Sequence, residues 1–116
     1  MIRELFQLDL MKNILNKYKK DEIKISKHYL DYFNNSEREI SPGEIIKYLL
    51  EKEFYFVEKQ INSWIRYKLI YEISHKYDLV IIVKEEQKIL KVVSAYKTNK
   101  KIKEKWKKSL KHHMMK

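Results

Sequence analysis

Residues 97–116 read KTNKKIKEKWKKSLKHHMMK, with nine lysines and a single acid, Glu104. That stretch carries a local charge of +8, whereas residues 1–96 hold 17 basic and 15 acidic side chains. The chemistry such a segment supports is attraction to a polyanion. Counterion release draws ammonium groups onto phosphates, and the attraction falls steeply with salt. Lysine outnumbers arginine 23 to 3. That ratio suits sequence-blind phosphate contact better than bidentate reading of base edges. A solvated helix face is the plain alternative for the same lysines.

Two other patterns suggest metal chemistry, and neither carries it. Asp78 with Glu86-Gln87-Lys88 imitates the carboxylates and lysine of magnesium-dependent restriction-type nucleases. Yet Glu22-Ile23-Lys24 also spells E-x-K, and the later triplet falls in an expected turn rather than along a strand. His112 and His113 are adjacent, hence about 100° apart on a helix and badly arranged to share one ion. The sequence has no phosphate-cradling glycine loop and no nucleophile elbow. With no cysteine, disulfides, thiolate metal sites and thiol nucleophiles are all excluded. No metal and no cofactor are expected.

These residues need a scaffold, and the composition allows one. At 116 residues, 44% hydrophobic and 13% aromatic, the chain fits a single domain (residues 1–116) with one core. No run approaches ~18 apolar residues, so no transmembrane helix is expected. Arg3, Glu4 and Asp9 interrupt any signal-peptide core in the first ten residues. A cytoplasmic protein without membrane association is the expectation.

The single Gly and single Pro are adjacent in SPGE, Ser41–Glu44, a capping-box pattern that starts a helix running to about Lys52. Upstream, Ile2, Leu5, Phe6, Leu10, Ile14, Leu15 and Tyr18 recur at helical spacing and predict an N-terminal helical extension over residues 1–20. DEIKIS (21–26) predicts a short strand and KHYLDYFNN (27–35) a helix. Beyond Glu53 the period becomes two. EFYFVEK (53–59) reads as an edge strand, and WIRYKLIYEIS (64–74) as a strand that is apolar on one face. DLVIIVK (78–84) reads as a central strand, KEEQK as a turn and ILKVVSAY (89–96) as the last strand. From Asn99, Ile102, Trp106 and Leu110 repeat at helical spacing, which predicts a basic C-terminal helix over 98–116 around a core of 23–97. The expected fold is α+β, an antiparallel meander of three to four strands, with a possible short N-terminal strand, covered by helices.

This order of elements, with SKH, REIS and VVSAYKTNKK, resembles small prokaryotic proteins of RelE-like fold. The nearest likeness is to a phage- and archaeon-associated family of unknown function. Its members have a Ser/Thr-x-His helix, an arginine in the sheet and a last strand like VVTAY. BrnT-type and RelE-type ribonuclease toxins are more distant relatives. The likeness covers roughly residues 23–105 and leaves 1–20 as an addition, and lysine replaces most of the toxins' arginine. The resemblance implies metal-independent RNA chemistry, which needs proton transfer at the 2′-hydroxyl and the leaving oxygen and cations around the phosphorane.

Matched residue by residue, the likeness implies His28 as acid/base, Arg66 as phosphate clamp and Tyr96 as proton donor or base-stacking group. Packed as in the family, these three and Lys97 would line one side of the sheet. Lys68, Lys97, Lys100, Lys101, Lys105 and Lys108 would contact the nucleic-acid backbone. Each has an ordinary alternative: His28 as a capping or packing residue, Arg66 on a polar strand face, Tyr96 at the margin of the core. The expected function is a RelE-like RNA-interacting protein, extending to a ribonuclease toxin whose acidic antitoxin covers the basic surface. The alternatives are a non-catalytic RNA- or DNA-binding protein of an archaeon or its virus, and a structural or interaction module. Oligomeric state is not legible in the sequence.

Overall fold

The computed structural model describes residues 1–34 and 40–99. In chain order the elements are β1 (Ile2–Leu5), α1 (Leu8–Leu15), β2 (Ile23–Ile25), α2 (Lys27–Asn34), α3 (Pro42–Glu51), β3 (Phe56–Ile61), β4 (Ile65–Glu72), β5 (Tyr77–Glu86) and β6 (Ile89–Asn99). The fold is α+β. Its sheet, however, is six-stranded and mixed, in the order β1-β3-β4-β5-β6-β2. The expected antiparallel meander is its centre, β3 to β6. Outside it, β1 pairs antiparallel with β3, and β2 pairs parallel with β6.

Two expectations change for one reason: a sheet edge offers unpaired backbone groups, and pairing with them outweighs local side-chain spacing. Ile2–Leu5 is a strand, not the first turn of a helix, with all four side chains exposed. Helix α1 is therefore confined to Leu8–Leu15, and Met11 and Leu15 are its buried residues. The same pairing covers β3, which is internal rather than an edge. The turn between β5 and β6 also contracts to Gln87–Lys88, because Glu86 still pairs with Ile89.

The three described helices lie on one face of the sheet. Met11 and Leu15 of α1, Tyr29 of α2, and Ile45 and Leu49 of α3 form one buried cluster with alternate residues of the strands: Val57, Tyr67, Leu69, Tyr71, Leu79, Ile81, Val83, Leu90 and Val92. The period-two pattern of β4 is realised as read, with Tyr67, Leu69 and Tyr71 inward. Helix α3 also begins as read, since the Ser41 hydroxyl accepts the Glu44 N–H at 3.2 Å. Tyr71 is fully buried between Tyr48 and Phe54, with ring centroids at 5.3 and 5.9 Å in edge-on packing.

Ser26 fastens α2 to the sheet. Its hydroxyl accepts the Tyr29 N–H at 3.2 Å as the helix N-cap and donates to the Val93 carbonyl at 3.1 Å. Val93 is the extra residue of a β-bulge: Ser94 pairs with Ile82, whereas Val92 pairs with Val83. A bulge reverses side-chain alternation beyond it. Val92 and Ala95 therefore both face the helices, and Ser94 and Tyr96 face away.

Candidate nucleic-acid interface

Among the described residues no helix lies on the other face of the sheet, and cross-strand pairing arranges its side chains in rows. The first row, Phe56–Ile70–Val80–Tyr96, is apolar. Phe56, Ile70 and Val80 form a second buried cluster, flanked by Tyr55, Ile82 and Tyr96. The next row, Glu58–Lys68–Ile82–Ser94, mixes charge with apolar surface. The third holds Arg3, Gln60 and Arg66, and at the same end of the face Lys84 pairs with Lys91, which pairs with Lys24. Cations thus gather toward the starts of β4 and β6. Glu72 and Asp78 face each other at the opposite end.

The electrostatics centre on Glu58. Its side chain is only 5% exposed, accepts a hydrogen bond from Gln60 Nε2 at 2.9 Å, and lies 4.0 Å from Arg3 Nε. Burial lowers the pKa of Lys68; the neighbouring Glu58 pulls it back up and Arg3 adds to the lowering. Burial raises the pKa of Tyr96, Glu58 raises it further, and Arg3 opposes. Tyr96, Lys68, Glu58 and Arg3 therefore share one electrostatic neighbourhood. At the far end, the Tyr55 hydroxyl donates to Asp78 Oδ2, and Asp78 is 1% exposed.

The bulge brings Tyr96 onto the face that carries Arg66 and Lys68, but the expected grouping of four is not formed. His28 is exposed on α2, and its neighbour Tyr29 belongs to the cluster on the helix-covered face. The imidazole therefore rides on the helix layer, across the sheet from the guanidinium of Arg66. Lys97 is exposed and pairs with Leu79, which places it in the alternation of the helix-covered side. Arg66 and Tyr96 share a face but lie two strands and four residues apart. Their backbones are separated by roughly 16 Å at about 3.3 Å per residue and 4.8 Å per strand. They can touch successive parts of a chain more readily than one phosphate. Lys100, Lys101, Lys105 and Lys108 lie outside the described residues.

The arrangement can therefore hold a polyanion and move protons. Among the described residues no group of three or more His, Asp or Glu is placed to hold a metal ion. Asp78 and Glu86 stand at opposite ends of the ten-residue β5, roughly 26 Å apart at about 3.3 Å per residue, which removes the restriction-nuclease pattern. Sequence reading missed Glu58, Gln60 and Arg3. The first two alternate with Phe56 along β3, a signal that was available. Arg3 was hidden by the apparent helix over residues 1–20.

A second feature occupies the cationic end. Pairing of β4 with β5 stops at Tyr67–Val83, although β4 begins at Ile65 and β5 runs on to Glu86. The strands splay and leave an open cleft of about 1190 Å³ lined by Trp64, Ile65, Lys84, Glu86 and Gln87 among others. Trp64 is 61% exposed, with Lys84 Nζ 4.7 Å from its ring centroid. Compared with protein-family models, with curated proteins and with solved structures, the chain gives no match. No helix among the described residues is long and apolar enough to cross a membrane.

Proposed function

We propose that this chain is an RNA-interacting protein of RelE-like type that lays a sugar–phosphate backbone along the sheet face that carries no described helix. The observation that supports this reading is the row of Arg3 and Arg66 beside Lys68, with Lys24 at the same end and Lys84 and Lys91 sharing the single carboxylate of Glu86 there. Phosphate contacts position a chain without reading its sequence, and the lysine-rich composition fits that role. The test is fluorescence anisotropy with labelled single-stranded RNA over a salt series. Binding that weakens steeply with salt, and weakens in Arg66→Ala and Lys68→Ala, supports the reading. No binding at low salt refutes it. An acidic protein partner would compete for the same cations.

A second reading, a metal-independent endoribonuclease, draws on the lowered pKa of Lys68 beside Glu58. Burial makes the Lys68 ammonium a readier proton donor than a free lysine, and Glu58 faces it across the strand pair. In this reading Glu58 and Lys68 carry the proton transfers assigned above to His28. RNA incubated with protein in EDTA tests it: scission lost in Lys68→Ala and kept in His28→Ala supports the reading, and intact RNA with the wild type refutes it.

A further inference from the structure

We infer that the splayed cleft between β4 and β5 receives one unpaired nucleobase of a bound single-stranded RNA, stacked on Trp64. The inference rests on the RNA-binding reading above and names what that RNA must present. Trp64 and Lys84 belong to the same face as Arg66, so a strand held along the cationic row passes the mouth of the cleft.

The chemistry of the cleft suits a base better than a phosphate. Its acids are already engaged: Glu86 is 2.7 Å from Lys84 Nζ and 3.7 Å from Lys91 Nζ. Glu85 accepts from the Tyr18 hydroxyl and lies 3.6 Å from Lys17 Nζ. Close to neutral overall, the cleft has little extra pull on an anion, while the cations outside it do. What it offers is a flat indole, mostly exposed, with the apolar side chain of Ile65, itself 47% exposed, beside it. Every base has a π-face, so such a platform holds bases with little regard to sequence. Beyond Val83 one edge of β5 faces the cleft rather than a neighbouring strand. Its backbone groups, with the Gln87 amide, can meet the exposed edge of a splayed-out base. Bases within a duplex cannot enter, because their faces are already stacked.

Gln87 adopts φ 47°, the single non-glycine residue with positive φ among those described. The two-residue turn between Glu86 and Ile89 requires positive φ at its first residue. Gln87 sits at the tip of the hairpin and lines the cleft.

The experiment uses the full chain carrying Trp106→Phe, so that emission reports Trp64 alone. It is titrated with a short single-stranded RNA, the same strand made abasic, and its duplex. The inference requires that the single strand quench Trp64 and that the abasic strand and the duplex do so much less. It also requires that Trp64→Ala weaken single-strand binding by about tenfold, and that Trp64→Phe recover most of the loss. Trp64 is exposed, so the substitutions leave the core intact. RNA binding that is equal in Trp64→Ala, with no base-dependent quenching, overturns this inference and leaves the RNA-binding reading standing. No binding of any RNA overturns both.

Discussion

Glu58 of β3 and Lys68 of β4 face each other as a cross-strand pair on the sheet face that carries no described helix. Burial disfavours the Lys68 ammonium, and Glu58 partly restores it. Replacing Glu58 by Gln removes that restoring charge, so the pKa of Lys68 is expected to fall further. Titration of the Lys68 side chain by NMR checks the sign: a rise or no change would show that the two groups are not coupled. The same substitution in the EDTA assay separates a proton-transfer role from a purely electrostatic one.

Ser26 caps α2 and also satisfies the bulged carbonyl of Val93. Ser26→Ala removes both bonds and is expected to cost about 1–2 kcal/mol, measured as a lower urea midpoint with an unchanged slope. Because the bulge directs Tyr96 away from the helices, the variant is also expected to change the Tyr96 environment in NMR spectra. An unaltered midpoint would mean that the bulge is held by the strands alone.

The fold was legible where local pattern and tertiary demand agree. SPGE opened α3, and the alternation of Trp64–Ser74 placed Tyr67, Leu69 and Tyr71 in the core. It was illegible where long-range pairing decides. Nothing local separates Ile2–Leu5 as strand from the helical spacing that continues through Tyr18, and nothing in DEIKIS shows that β2 runs parallel to β6. The site suffered most from the bulge. Without Val93 as an extra residue, the face of Tyr96 cannot be counted from Leu90. His28 was drawn into the site by a motif whose serine is structural: Ser26 makes the cap and the bulge contact, and the histidine two residues later points out from the helix layer.

Several tyrosines are held protonated by burial. Tyr18 is pushed up to about 12 by burial first and by its hydrogen bond to Glu85 second; Tyr55, Tyr67, Tyr71 and Tyr96 are raised as well. A raised folded-state pKa stabilises fully below the unfolded value, about 10, and that stabilisation is lost as pH rises through the folded value. Thermal stability is therefore expected to fall progressively above pH ~10, with phenolate absorbance appearing together with unfolding. Tyrosines that ionise near the ordinary value in a folded protein would contradict this.

Gln87 occupies a left-handed turn position that glycine enters without steric cost. Gln87→Gly is expected to raise stability by roughly 0.5–1 kcal/mol, read as a higher thermal midpoint. If Gln87 also contacts RNA, the same variant becomes more stable yet binds less tightly.

The central claim is that RNA lies on the sheet face that carries no described helix. Its most direct measurement compares RNA affinity across a salt series for the wild type, for Arg66→Ala/Lys68→Ala, and for a charge-matched control, Lys27→Ala/Lys47→Ala, on the helix side. The account predicts that removing Arg66 and Lys68 weakens binding and flattens its salt dependence, while the helix-side pair binds nearly as the wild type does. Equal losses in the two double variants would contradict it.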